Sequence, residues 1–124
     1  MSSGEPSMRG YRDLRAWQHA MELVTEIYRV TRTFPKDELY GLVGQLRRAA
    51  VSVPSNLAEG HGRNSRNEFR QFIGQARGSL SEVETQIEIA KNLKPDTAEA
   101  LLAQAGVVGK MLTGLRSWSE KRAG

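Results

Sequence analysis

Apolar side chains recur every three or four residues along four stretches of this chain, with short breaks between them. That spacing puts each set on one face of an α-helix, and no stretch shows the alternation of a strand. In the first stretch Leu14, Trp17, Met21, Val24, Tyr28 and Thr31 form the stripe, widened by Ala20, Leu23, Ile27 and Val30. Phe34-Pro35 ends it, because a residue before proline avoids helical backbone. Asp37 is expected to cap the second helix, which buries Leu39, Leu42, Leu46, Ala50, Val53 and Leu57. Pro54 falls inside that pattern and is expected to bend the helix without ending it. Gly60 and Gly62 close it.

Ser65 and Glu68 have the spacing of a capping box. The third helix follows, on Phe69, Ile73, Ala76, Leu80, Val83, Ile87 and Ala90. Lys94-Pro95 interrupts the chain, and Asp96 with Glu99 repeats the capping pattern. The fourth stripe is Ala98, Leu101, Ala105, Val108, Leu112 and Leu115. Breaks this short make consecutive helices antiparallel neighbours. The expected fold is therefore all-α, an antiparallel up-down-up-down four-helix bundle. Its helices are expected at about 12–33, 38–61, 66–93 and 97–120, inside one domain spanning about 11–122. The 124 residues suit one core. Residues 1–10 are Ser- and Gly-rich, lack the apolar run of a signal peptide, and are expected to be disordered.

The chemistry on offer is narrow. The chain has no cysteine, which excludes disulfides and thiolate catalysis and suits a reducing compartment. No stretch approaches the roughly 18 apolar residues that cross a bilayer. A cytoplasmic protein without a membrane partner is expected. Of the two histidines, His19 flanks the first helix and His61 stands between glycines at the end of the second. Each is open to two readings: a base or metal ligand, or an ordinary polar residue at a helix boundary or C-terminus. The Glu-x-x-His pairs of di-metal bundles do not occur. The glycines fit neither Gly-x-x-x-x-Gly-Lys-Ser/Thr nor Gly-x-Gly-x-x-Gly. No enzyme activity, catalytic residue, metal or cofactor is expected.

Charge and small residues mark the surface. Net charge is +4 and the isoelectric point about 9.8, a surplus that attracts polyanions. Arg66, Arg70 and Arg77 fall within about 40° of one another on the third helix, and Glu84 and Glu88 continue the same stripe. The basic half reads either as a phosphate-binding patch or as intramolecular pairing. Arg48, Ser52, Ser55 and Glu59 share a small, flat outward stripe on the second helix. Gly74 and Gly78 lower helix propensity in the third with no capping role. These six residues suit close self-association, with tolerated surface variation as the plain alternative.

The run Gln45-Leu46-Arg47-Arg48-Ala49-Ala50-Val51-Ser52-Val53-Pro54-Ser55-Asn56-Leu57-Ala58-Glu59-Gly60, preceded by Tyr40-Gly41-Leu42, resembles the signature of the bacterial four-helix bundle family. Its members are also called 23S rRNA intervening-sequence proteins. Leu14, Trp17 and Ala20 match an opening Leu-x-x-Trp-x-x-Ala element, and Phe34-Pro35, Glu38, Arg63, Phe72, Ala76, Gly78-Ser79-Leu80, Glu82 and Glu84 continue the likeness. It covers roughly 11–115, in pattern alone from Asn92 on. The resemblance implies up-down bundles assembled into homopentamers with a basic surface, some encoded within intervening sequences of 23S rRNA genes. It implies no catalytic activity. A related branch, the accessory variability proteins of diversity-generating retroelements, binds nucleic acid and a reverse transcriptase.

Joined to the charge, this predicts a homo-oligomer that binds nucleic acid, chiefly RNA, through its phosphates. Arg47, Arg48, Arg63, Arg66, Arg70 and Arg77 are the candidate contacts. The pentamer is expected to use Arg48, Ser52, Ser55 and Glu59 together with Gly74 and Gly78. Trp17, Tyr28, Phe34, Phe69 and Phe72 read as core or core-flanking, which leaves little for base stacking. The other reading is a scaffold that docks a protein, such as a reverse transcriptase or an rRNA-processing factor.

Overall fold

A computed structural model describes residues 10–38, 40–90 and 92–123. Residues 1–9 of the expected disordered segment lie outside the described residues, as does Leu39 of the second stripe. The chain forms four helices, α1 (Arg15–Thr31), α2 (Leu42–His61), α3 (Arg66–Ile89) and α4 (Pro95–Ala123), with no strand among the described residues. Short 3-10 turns at Gly10–Asp13 and Lys36–Glu38 precede α1 and α2.

The helix ends depart from the apolar period for local reasons. Gly10, at φ +82°, opens a 3-10 turn in which the Leu14 N–H donates to the Tyr11 carbonyl at 3.0 Å, so α1 starts later than expected. Asp37 sits in the second 3-10 turn and does not cap α2. Gly41, with neither angle helical and no side-chain cap, precedes Leu42 instead. Ala90 stays buried but turns to extended backbone, ending α3 while the apolar spacing continues. α4 begins at Pro95, where the missing N–H leaves no donor unpaired and φ is preset. Asp96 then lies in its first turn, favoured by the helix dipole. Pro54 is accommodated within a single α2.

Leu23, Ile27, Leu46, Leu57, Ile73, Ile87, Leu101 and Leu112 are the largest side chains of the core with almost no exposure. On α1 the buried line is Ala16, Ala20, Leu23, Ile27 and Thr31. Met21 and Tyr28, expected inside, are 39% and 40% exposed. Ala16 and Ala20 let the start of this line approach its neighbours closely, and Leu23 and Ile27 fill the core further along. Thr31 is wholly buried yet satisfied. Its hydroxyl donates to the Ile27 carbonyl at 2.7 Å and accepts from Arg47 Nε at 3.0 Å.

α1 packs on α2 and α4, and α3 packs on the same two. Among the described residues the backbones of α1 and α3, and of α2 and α4, do not come within 8 Å of each other at their Cα atoms, and one core of side chains lies between all four helices. Along α2 and α3 the partners run in opposite numerical order: Glu38 with Asn92, Ser52 with Ser79, Gly60 beside Phe72. Along α3 and α4, Leu80 lies beside Gly109 and Arg66 beside Trp118. These pairings are consistent with the expected up-down order.

Candidate nucleic-acid interface

The turn from α2 to α3 rests on Gly60. A Cβ there would stand 2.5 Å from Phe72 Cβ, so only glycine lets the last turn of α2 lie this close to α3. Ser65 then starts α3: its Oγ accepts the Glu68 N–H at 3.1 Å and donates to Glu68 Oε1 at 3.4 Å. Arg63 lies over the Phe72 ring, 5.0 Å from its centroid, and donates to Glu59 Oε2 at 2.9 Å. The Arg66 guanidinium lies 4.5 Å over the Trp118 ring. Stacking restrains a guanidinium while leaving N–H groups at its edge. Arg70 and Arg77 are half-buried, and their guanidinium groups make no hydrogen bond or ion pair to a described residue.

Arg12 in the 3-10 turn before α1, Arg15 at the start of α1 and Arg116 toward the end of α4 belong to the same end of the molecule; Arg15 and Trp118 line one surface pocket. Toward the other end Asp37, Glu38, Glu88, Asp96 and Glu99 offset Arg32, Lys36 and Lys94. Positive charge therefore gathers around the α2–α3 turn, where the summed field of the arginines reaches furthest into solvent.

The other candidate arginines are placed differently. Arg47 turns against α1, with Nε on Thr31 and one terminal nitrogen 3.4 Å from the Tyr28 carbonyl, an acceptor in the last turn of α1. Its guanidinium also covers the Tyr28 ring at 4.5 Å. This explains why Tyr28, outside the core, is still held. Arg48 is exposed and lines an α2–α3 groove of about 280 Å³ with Gln45, Ser52 and Glu82.

Of the expected self-association residues, Arg48, Ser55 and Glu59 are exposed. Ser52 is half-buried and bonded within its own chain, 2.7 Å from Ser79 Oγ and 3.0 Å from Asn56 Nδ2. Its small size serves the α2–α3 contact. Gly74 and Gly78 lie elsewhere, in a groove of about 640 Å³ between α3 and α4. Gly106 and Gly109 face them, and Arg77, Lys110 and Arg116 bring positive charge to the groove. Sequence reasoning missed Lys110 and Arg116. Their signal was the α4 series Gly106, Gly109, Lys110, Thr113 and Arg116, which has helical spacing but is polar or small instead of apolar.

The histidines remain apart. His61 packs edge-on to Phe69 with centroids 5.9 Å apart, and His19 Nδ1 lies 3.7 Å from Glu22 Oε1 on an open face. Among the described residues no three His, Asp or Glu side chains gather as a metal site, and no helix is long and apolar enough to cross a membrane.

The family model described as 23S rRNA-intervening sequence protein matches residues 12–114. No curated protein matches the chain.

Proposed function

The chain belongs to the 23S rRNA-intervening sequence protein family, and from that premise we propose that it is a non-enzymatic, homo-oligomeric up-down-up-down bundle that binds RNA by its phosphates. The observation that supports RNA binding best is the gathering of Arg63, Arg66 and Arg70 near the α2–α3 turn, the first two stacked on aromatic rings, with Arg77 about 16 Å further along the same stripe of α3. A restrained guanidinium loses less freedom when it grips a phosphate. Arg48 serves at the margin, and Arg47 supports the fold. The test is to reverse Arg66, Arg70 and Arg77 to Glu and measure RNA affinity across a salt series. Loss of three phosphate contacts flattens the slope of log affinity against log salt by about 2 for a single strand. An unchanged affinity and slope would refute the assignment.

Assembly uses the exposed α2 face of Arg48, Ser55 and Glu59, in rings of five. Light scattering tests this with a mass five times 13.8 kDa, reduced by Ser55→Trp; a stable monomer is the contrary result. Ser52 is no use as a probe, because enlarging it disturbs α2–α3 packing.

One feature favours the scaffold reading as well. A groove of about 570 Å³ between α2 and α3 is lined by Leu42, Gln45 and Ile89, and Ile89 is 55% exposed. Gln86 Oε1 lines it too, buried and without a hydrogen bond among the described residues. A protein partner retained in high salt after nuclease treatment, and lost from Ile89→Asp, supports docking there; equal retention by both refutes it.

A further inference from the structure

We propose that the α3–α4 groove holds the sugar–phosphate backbone of a single nucleic-acid strand, a contact that rests on the RNA-binding reading above and gives it a path. The groove presents a contradiction that an outside occupant resolves. Gly74, Gly78 and Gly106 sit inside helices, where each costs about 1 kcal/mol relative to Ala. Yet a Cβ on any of them would meet no atom within 4 Å. Packing inside the chain does not require them, unlike Gly60. What they create is depth, in a cleft of about 640 Å³.

The walls say what fits. The charged side chains of Arg77 and Lys110 make no hydrogen bond or ion pair to a described residue. Arg116 Nε lies 3.3 Å from Glu120 Oε2, too poorly aligned for a hydrogen bond. A helix from a second copy, docked face to face through this groove, would set these cations against their own copies. A chain of phosphates meets them with opposite charge. Glu84 closes one end of the cleft, so the favourable path leads the other way, toward Arg70 and Arg66. From Glu84 to Arg66 is about 27 Å along α3 at 1.5 Å per residue.

Width selects the single strand. Packed helices have axes about 8–10 Å apart, so the cleft between them is narrower than a duplex, in which each backbone is joined to a second one across the base pairs. A duplex therefore touches only the rim, while one backbone enters. No aromatic ring lines the cleft, so the grip is on phosphate and discriminates little among bases.

The experiment measures anisotropy of a labelled 20-nucleotide RNA strand, the same sequence in DNA, and each annealed to its complement, across a salt series. The wild type is expected to bind both single strands at least tenfold more tightly than the duplexes. Gly106→Leu fills the cleft without changing charge. It is expected to lose about tenfold in strand affinity while duplex binding and the circular dichroism spectrum stay as they were. Lys110→Gln, on the surface, is expected to lower the strand salt slope by about 0.7. Tighter duplex binding, or strand binding unaffected by Gly106→Leu and Lys110→Gln, overturns the groove while the basic-end reading stands. A change of assembly mass in Gly106→Leu without loss of strand affinity assigns the cleft to a second copy and also overturns it. Failure of the wild type to bind any of the four probes at low salt sinks the RNA reading itself.

Discussion

Replacing glycine by alanine at two helical positions is expected to move stability in opposite directions. At Gly60 the new methyl would meet Phe72 Cβ at 2.5 Å and Phe69 Cδ1 at 3.1 Å. Carbon atoms settle at about 3.5–4.0 Å, so the two helices must part by about 1 Å. Phe72 Cβ is fixed to the α3 backbone and no rotamer change moves it. Overpacking of this kind costs up to about 3 kcal/mol, and the gain in helix propensity returns about 1. The net loss of about 2 kcal/mol corresponds to a melting temperature roughly 6–12 °C lower for a chain of this size. At Gly106 the methyl enters open space, and the same propensity term alone predicts a gain of about 1 kcal/mol. Urea unfolding followed by circular dichroism, at one fixed chain concentration because assembly adds to stability, measures both. Gly60→Ala is also expected to weaken RNA binding, since it displaces Arg63 and Arg66 from each other. A Gly60→Ala midpoint equal to or above the wild type would refute the reasoning, as would shifts of the same sign at both sites.

Arg47→Met is expected to lower stability by about 1–2 kcal/mol, through loss of its donors to Thr31 and the Tyr28 carbonyl, and to leave RNA affinity unchanged; a fall in affinity without a fall in stability contradicts this. Arg29 hydrogen-bonds to Glu26 and holds its carboxyl below the ordinary value of 4.5. A lowered folded value means the contribution is present above the unfolded pKa and fades as pH drops through the folded one. Because the pair is exposed the effect is small, and a Glu26 carboxyl titrating at or above 4.5 by NMR is the contrary result. Metal analysis of the purified protein is expected to find no stoichiometric ion, and one ion per chain would reopen the reading of His19 and His61.

Much of the fold is written in the apolar period, because helix burial depends on local spacing that one stretch of chain displays by itself. The core of α3 (Phe69, Ile73, Ala76, Leu80, Val83 and Ile87) lies on the expected stripe without exception. On α1 the period alone does not choose between two adjacent lines, one through Trp17, Met21 and Tyr28 and one through Ala16, Ala20 and Ile27. The choice depends on how close the neighbouring helices stand, a quantity outside α1. Helix ends were harder for a related reason. Glu38 and Asn92 meet across 54 positions, joining the segment before α2 to the turn after α3, and no local pattern announces that tie.

The site divides along the same physical line. Arg66, Arg70 and Arg77 share a stripe on one helix, so their proximity follows from 3.6 residues per turn. The roles of Arg47 and Ser52 depend on contacts with α1 and α3, reached only when the bundle closes, and the spacing that put both on a candidate surface carries no trace of those partners. The α3–α4 cleft is of this second kind. Gly74 and Gly78 mark one wall, and Gly106 and Gly109 the other. Each pair taken alone is merely a weak spot in a helix, and only their apposition turns lost propensity into depth. Charge behaves likewise: Lys110 and Arg116 are unremarkable on α4 until packing against α3 brings them to one groove with Arg77. A bundle whose described core is apolar gains its distinctive surfaces in such seams between helices, where two ordinary faces combine into one that neither has.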